Sequence, residues 1–201
     1  MANFFGINVE NCDWTNILGT DIFLLDSSGG SATSWLAAGL DRRGIPSKEV
    51  SSLEKELNQQ CGAGEISPTD TWTWEEMKES EHLLLKSLAE THAQDVPNGS
   101  LIGAALDGDG DRCLLIESTE NGARVVDGDK MADNVARAWD SIGIPNATMA
   151  FTIETDLSLT SSQNRFGMQV NFLECAVGDR WLSNQLSKHL IDSENWPCII
   201  G

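Results

Sequence analysis

Hydrophobic and polar positions alternate between the short period of strands and the longer period of helices along most of the chain. Apolar runs predict strands at residues 21–26, 49–53, 100–106, 113–117, 124–126, 148–153, 170–175 and 198–200. Helical spacing is found at residues 32–43, 71–92, 131–142, 157–166 and 180–191. Because strands and helices alternate in sequence, the pattern predicts an α/β fold.

The order of these elements predicts two consecutive three-layer α/β/α units with mixed sheets. The Asn121-Gly122 turn is the simplest division between them, which gives units at residues 1–120 and 121–201. The chain stops at Gly201, directly after the apolar pair of a strand that is only beginning. We therefore expect the second unit to be truncated at its C-terminal end.

The charge and hydropathy of the chain argue against nucleic acids and membranes as binding partners. The chain has 13 basic residues against 31 acidic residues, with no basic cluster longer than the pair Arg42-Arg43. A nucleic-acid partner is disfavoured, because binding to phosphate backbones depends on basic surface. No apolar run approaches the roughly 20 residues of a membrane helix, so we expect no membrane partner. The N-terminus lacks the pattern of a signal peptide, which favours a cytoplasmic location.

Cysteine and histidine residues do not form a recognisable site in the sequence. The five cysteines are far apart, without a C-x-x-C pair, and are predicted to be reduced and mostly packed. His82, His92 and His189 are isolated on predicted helices. They are predicted to be surface histidines without a catalytic partner.

A cluster of acidic residues lies between two predicted strands. Residues 107–112 have the sequence Asp-Gly-Asp-Gly-Asp-Arg, which places carboxylates at Asp107, Asp109 and Asp111. The glycines allow the backbone to fold tightly, and hard oxygen ligands in this arrangement suit Mg²⁺ or Ca²⁺. Three close carboxylates also repel one another without a cation. We therefore predict a divalent metal site, with Mg²⁺ as the cofactor, rather than a simple acidic turn.

Two other sites begin with a similar spacing of aspartates. An EF-hand loop requires glycine at its sixth position and glutamate at its twelfth, where this chain has Arg112 and Ser118. The flanking elements are also strands rather than helices. A phosphatase of the haloacid dehalogenase type uses an Asp-x-Asp pair after a strand, but its usual threonine or valine is replaced by Asp111. It remains a distant alternative.

Residues 107–112 and the Val-Asp-Gly-Asp sequence at residues 126–129 resemble the metal-binding loop and downstream hairpin of the α-D-phosphohexomutases, of the phosphoglucomutase and phosphomannomutase type. The resemblance implies that Asp107, Asp109 and Asp111 hold Mg²⁺. It also implies that Arg112 lies beside the family's active-site phosphoserine as a supporting residue. In the family, that phosphoserine exchanges a phosphoryl group with the 1- and 6-positions of a hexose phosphate.

A second motif resembles the loop by which the family's third domain orients a phosphosugar. Residues 176–181 have the sequence Ala-Val-Gly-Asp-Arg-Trp, in which Trp181 replaces the commoner tyrosine. The resemblance implies substrate binding by Gly178, Asp179 and Arg180. The glycine-containing segments at residues 26–32 and 58–64 match no nucleotide-binding fingerprint, and we interpret both as structural.

The resemblance covers the family's second domain and part of its third, so domains 1 and 4 are the expected missing partners. No segment like the phosphoserine loop, the sugar-recognition loop or the C-terminal phosphate-binding loop occurs in the sequence. We therefore expect a fragment of a mutase that is inactive alone; the alternative is a noncatalytic module that binds metal or phosphosugar. The segment after Cys61 departs from the Cys-Gly-Ser-Thr-His form of phosphoglucosamine mutases, which favours a glucose- or mannose-phosphate enzyme.

Overall fold

The chain forms two compact units, Met1–Asp127 and Gly128–Gly201. The computed structural model describes residues 3–4, 7–8, 13–54, 57, 59–93, 95–156, 159, 165–192 and 198–200. In the last helix, side chains are described only at residues 180–185 and 187. The predicted boundary after residue 120 lies too early, because the strand formed by Gly122–Val126 pairs with strands of the first unit.

The first unit contains eight strands and four helices among its described residues. In chain order these are β1 (Asn3–Phe4), β2 (Ile7–Asn8), α1 (Trp14–Leu18), β3 (Phe23–Asp26), α2 (Leu36–Asp41), β4 (Ser47–Glu49), β5 (Thr71–Thr73), α3 (Trp74–Glu79), α4 (Leu83–His92), β6 (Leu101–Leu106), β7 (Cys113–Thr119) and β8 (Gly122–Val126). A single 3₁₀ turn at Ala63–Glu65 lies between β4 and β5. The second predicted strand, at residues 49–53, is found slightly earlier as β4.

Six of these strands form one mixed sheet in the order β4-β3-β6-β7-β8-β5. Strands β4, β3 and β6 are parallel, and the remaining neighbours are antiparallel. The small sheet of β1 and β2 is separate and antiparallel. Since β3 and β6 are parallel neighbours, their carboxyl ends meet at one edge of the sheet, and loops that follow them are brought together there.

Helices cover both faces of this sheet. Successive side chains of a strand point to opposite faces, and β3 accordingly contributes Leu24 to one hydrophobic cluster and Phe23 and Leu25 to another. The first cluster includes Leu84 and Leu88 of α4, whereas α2 packs against the second. The predicted three-layer α/β/α arrangement is confirmed for this unit.

The predicted long helix at residues 71–92 is divided into a strand and two helices. Thr73 begins α3 with a capping box, in which its hydroxyl accepts from the Glu76 amide and the Glu76 side chain accepts from the Thr73 amide. Ser80 ends α3 with an extended ψ of 145°. The Ser80 hydroxyl then accepts a hydrogen bond from the His82 amide at 3.0 Å. This local bond competes with helix continuation and explains the break.

Two histidines predicted to lie on the surface are buried. His82 and His92 are each 6% exposed. The His82 ring contacts the Gly62 carbonyl oxygen at 3.0 Å through Nε2. His92 lies on the same face of α4 as Leu84 and Leu88, which are fully buried. Burial lowers the pKa of His92. The side chain of His189 falls outside the described residues.

Among its described residues, the second unit contains α5 (Gly128–Ser141), β9 (Asn146–Thr152), β10 (Gln169–Cys175), α6 (Asp179–Asp192) and β11 (Cys198–Ile200). Its described strands are parallel, in the order β10-β9-β11. Buried residues of α5 and β9, including Ala136, Trp139 and Met149, form its core. The predicted helix at residues 157–166 falls largely outside the described residues. Among the described helices, none combines the length and apolar character needed to cross a bilayer.

Candidate metal centre

The three aspartates lie on the turn that joins β6 to β7, and we call residues 107–112 the aspartate loop. Strand β6 is buried almost throughout, and its last residue, Leu106, is paired with Cys113 at the start of β7. The turn is closed by a hydrogen bond from the Gly110 amide to the Asp107 carbonyl at 3.2 Å. Gly110 has a φ of 81°, a conformation that glycine adopts without steric cost.

The turn brings three carboxylates together. One oxygen from each of Asp107, Asp109 and Asp111 lies within 4.8 Å of the others. Asp107 is buried, whereas Asp109 and Asp111 are exposed. An oxygen-only donor set that is open to solvent on one side fits a hard divalent cation that retains part of its water shell, as Mg²⁺ does. The structure thus brings together the three residues that the sequence predicts as ligands.

Asp107 has several hydrogen-bond partners within the loop. Its Oδ1 accepts from the amides of Gly110 and Arg112, each at 3.1 Å. Its Oδ2 accepts from Arg112 Nε at 2.6 Å. Burial raises the pKa of Asp107, but the hydrogen bonds from the Arg112 side chain and amide outweigh that effect and lower the pKa to about 2. Asp107 is therefore a carboxylate at neutral pH.

The pKa values of Asp111 and Arg112 are also shifted, because the charged groups of the loop lie close together. A hydrogen bond to Asp107 raises the pKa of Asp111, and repulsion from Asp109 and Asp107 adds to the increase. The hydrogen bond from Arg112 to Asp107 in turn raises the pKa of the guanidinium. Because like charges this close disfavour the ionised state, a bound cation would relieve the repulsion. The electrostatics thus favour cation binding.

A neighbouring turn also contacts the aspartate loop, although its residues are interpreted as purely structural in the sequence. We call residues 27–31, which follow β3, the serine turn. Its Ser28 hydroxyl donates to the Leu106 carbonyl at 2.5 Å, and Ser31 donates to Gly108 and Asp109. The sequence contains a feature that could have predicted this contact: a Ser- and Gly-rich loop follows a buried strand, as the aspartate loop does.

A buried polar network lies behind the serine turn. Asp26, which is fully buried, accepts from the amide of Ser28 at 3.0 Å and from the amide of Gly62 at 2.8 Å. Burial raises the pKa of Asp26 more than these two hydrogen bonds lower it. Gly62 has a φ of 76°, and a side chain at this position would overlap Ser28. The segment after Cys61 is therefore packed closely against the serine turn.

The predicted substrate-binding residues lie in the second unit, at the turn between β10 and α6. Gly178 has a φ of 116°, and its carbonyl accepts from the Trp181 amide at 2.9 Å at the start of the helix. The Arg180 guanidinium lies 5.7 Å from the Trp181 ring centre, and both side chains are exposed. Asp179 begins the helix, but its side chain falls outside the described residues.

Sequence relatives of the chain are phosphoglucosamine mutases. The protein from Ruthia magnifica is 32% identical over 133 residues, covering 66% of this chain and 24% of its own length. The protein from Streptomyces avermitilis is 34% identical over 103 residues, covering 51% of this chain and 22% of its own length. The matched part of the chain thus spans about a quarter of the length of these relatives. Their names do not support the preference for a glucose or mannose enzyme drawn from the segment after Cys61.

The fold has a counterpart among solved structures. The apo-form of N-acetylglucosamine-phosphate mutase, a member of the α-D-phosphohexomutase superfamily, matches 86% of this chain with a TM-score of 0.57. The match covers 36% of that structure at 18% sequence identity, so it supports the fold alone. No family model matches the chain. The chain is thus similar in sequence to a part of the longer phosphoglucosamine mutases and similar in fold to a member of the α-D-phosphohexomutase superfamily, which supports the resemblance predicted from the sequence.

Proposed function

We propose that the chain is the metal-binding part of a Mg²⁺-dependent phosphohexomutase. The observation that carries the proposal is the convergence of three carboxylates within 4.8 Å at the β6–β7 turn, in a chain whose relatives are phosphoglucosamine mutases. Asp107, Asp109 and Asp111 would hold the cation. When bound, Mg²⁺ supplies positive charge that stabilises a phosphoryl group during its transfer.

The residues around the aspartate loop would assist the same reaction. The Arg112 side chain is 71% exposed, so its guanidinium can donate to a phosphate as well as to Asp107. In the second unit, the turn at Gly178, Asp179 and Arg180 would orient a phosphosugar, since the exposed Arg180 guanidinium can donate to hydroxyl and phosphate oxygens.

The substrate in this proposal is a hexose phosphate whose phosphoryl group moves between the 1- and 6-positions. Phosphoserine and sugar-recognition segments are expected in regions of a longer protein that this chain does not include. The names of the relatives make glucosamine phosphate the first substrate to test, followed by glucose and mannose phosphates. The chain alone should lack mutase activity because it contains no segment resembling the phosphoserine donor.

The metal site can be tested by calorimetric titration with Mg²⁺. Asp109→Ala should abolish binding, since it removes one of three ligands. Asp21→Ala is the matched control, because Asp21 is an exposed aspartate of the same unit and its loss changes the net charge equally. Unchanged binding by the Asp109→Ala variant would contradict the metal assignment.

The enzymatic proposal needs a separate assay. A longer reading frame that includes the phosphoserine segment should interconvert the 1- and 6-phosphates of at least one of the three hexoses, and should lose activity when Mg²⁺ is chelated. The chain alone should show none. If the longer protein binds metal or phosphosugar without turnover, the noncatalytic binding module becomes the better hypothesis.

A further inference from the structure

The serine turn donates hydrogen bonds to two carbonyls of the aspartate loop and to the carbonyl that directly precedes the loop. The Ser28 hydroxyl donates to the carbonyl of Leu106, the residue before the first aspartate. The Ser31 amide donates to the Gly108 carbonyl at 2.9 Å. The Ser31 hydroxyl donates to the Asp109 carbonyl, also at 2.9 Å. The peptides on both sides of Asp109 are thus held by a single residue from another part of the chain.

The serine turn is itself held in place. Ser28 has a φ of 58°, an uncommon conformation for a residue other than glycine, and the buried Asp26 carboxyl accepts from its amide. The Trp35 indole donates to the Ser31 carbonyl at 3.0 Å. Gly30 lies so close to Gly108 that a side chain at position 30 would overlap the Gly108 carbonyl. These contacts fix the turn against the loop.

Fixing the loop backbone affects how well its carboxylates bind a cation. Asp109 is exposed, and without outside contacts its backbone would have to be ordered when the metal binds. A site that is ordered before binding avoids that entropic cost. Groups that orient metal ligands commonly change metal affinity by about 10- to 100-fold when they are mutated. Ser31 contacts the backbone of a ligand residue rather than its carboxylate, so a smaller change in affinity is expected.

We propose that Ser31 is a positioning residue of the cation site: its amide and hydroxyl hold the backbone around Asp109 so that the three carboxylates converge. The inference rests on the proposed metal site, and it adds a residue that would not itself touch the metal. Since Ser31 is exposed, its hydroxyl can be removed without opening a cavity in the core.

The test is a titration of the chain with Mn²⁺. Calorimetry measures the affinity, and the relaxation rate of water protons reports the bound ion. Ser31→Ala should weaken binding by about three- to tenfold, the effect of one lost hydrogen bond. Ser31→Thr keeps the hydroxyl and should restore the affinity. Ser34→Ala is the control, because Ser34 is an exposed serine nearby that makes no described contact with the loop. Each metal-free variant should still unfold in a single cooperative thermal transition, which would show that its fold is retained.

The outcomes separate the two hypotheses. Absence of Mn²⁺ binding by the unmodified chain would overturn the metal site, and the role of Ser31 with it. Binding by the unmodified chain together with equal binding by Ser31→Ala would overturn the positioning role alone. Equal weakening in Ser31→Ala and Ser31→Thr would also overturn it, because the hydroxyl would then not be the cause.

Discussion

At the residue scale, Arg112 and a metal ion would compete for the same carboxylate. Arg112 Nε lies 2.6 Å from Asp107 Oδ2, and its other nearby acid is Asp111 at 4.0 Å. The family resemblance places this arginine beside a phosphate, but it gives no indication of the pair with Asp107. In the metal-free chain the guanidinium partly supplies the positive charge that the three carboxylates require.

We predict that Arg112→Ala binds Mg²⁺ more tightly than the unmodified chain does. Removal of a positive charge next to the site should increase the affinity about three- to tenfold at low ionic strength, and less at high salt. Calorimetric titration at two salt concentrations measures the change.

Arg124→Ala is the control for this prediction. Arg124 pairs with Glu117 at 2.7 Å on the neighbouring strands, so its removal changes the net charge equally away from the loop. Weaker binding by Arg112→Ala would show that the guanidinium orients Asp107 for the metal rather than competing with it.

The sequence predicts a structural feature correctly where the residues that determine that feature are close together in the chain. Asp107, Asp109 and Asp111 lie within five consecutive residues, so the turn that brings them together can be predicted from spacing and glycine content. The contact of Ser31 with Asp109 joins residues that are 78 positions apart, and no local pattern specifies it. His92 is an intermediate case, because its spacing of four and eight residues from Leu88 and Leu84 already indicates the buried face of α4.

At the element scale, the segment from β5 to α4 shows how capping limits a helix. The apolar spacing at residues 71–92 is continuous enough to predict one helix, yet Thr73 and Ser80 each form a local hydrogen bond that sets a boundary. Side-chain oxygens of this kind offer the backbone an alternative to helical pairing. Hydrophobic period alone therefore identified the buried face but not the ends of the elements.

We predict that Thr73→Ala lowers the free energy of unfolding by about 1 kcal/mol, because it removes the side-chain cap of α3. Urea denaturation followed by circular dichroism measures the loss. Thr71→Ala provides the comparison, since Thr71 is an exposed threonine on the same strand with no described side-chain hydrogen bond. An equal loss in both variants would mean that strand propensity, and not the cap, is responsible.

At the scale of the whole molecule, the groups that organise the aspartate loop lie within the first unit. Its strands β6 and β7, the serine turn and Asp26 all belong to Met1–Asp127. The predicted substrate-binding turn belongs to the second unit. The proposed metal-binding residues and the proposed sugar-binding residues therefore lie in different units, and the two proposals can be tested independently.

We predict that a truncated chain ending at Asp127 folds by itself and binds Mn²⁺ with the affinity of the whole chain. The truncation keeps the complete six-stranded sheet and both of its hydrophobic clusters. Circular dichroism and a cooperative thermal transition would establish folding, and the Mn²⁺ titration would establish the site. A folded truncated chain with much weaker binding would show that the second unit contributes to the metal centre.

The pairing of the serine turn with the aspartate loop also has a kinetic consequence. Residues on the two sides of this contact are 78 positions apart, so the fully ordered loop can form only after β3 and β6 have become neighbours. Contacts of such long sequence separation form slowly, because a large loop must close first. In refolding experiments, the luminescence of a lanthanide ion bound at the aspartates should therefore appear after the gain of helical structure. The delay between the two signals would measure how long the parallel strands take to assemble.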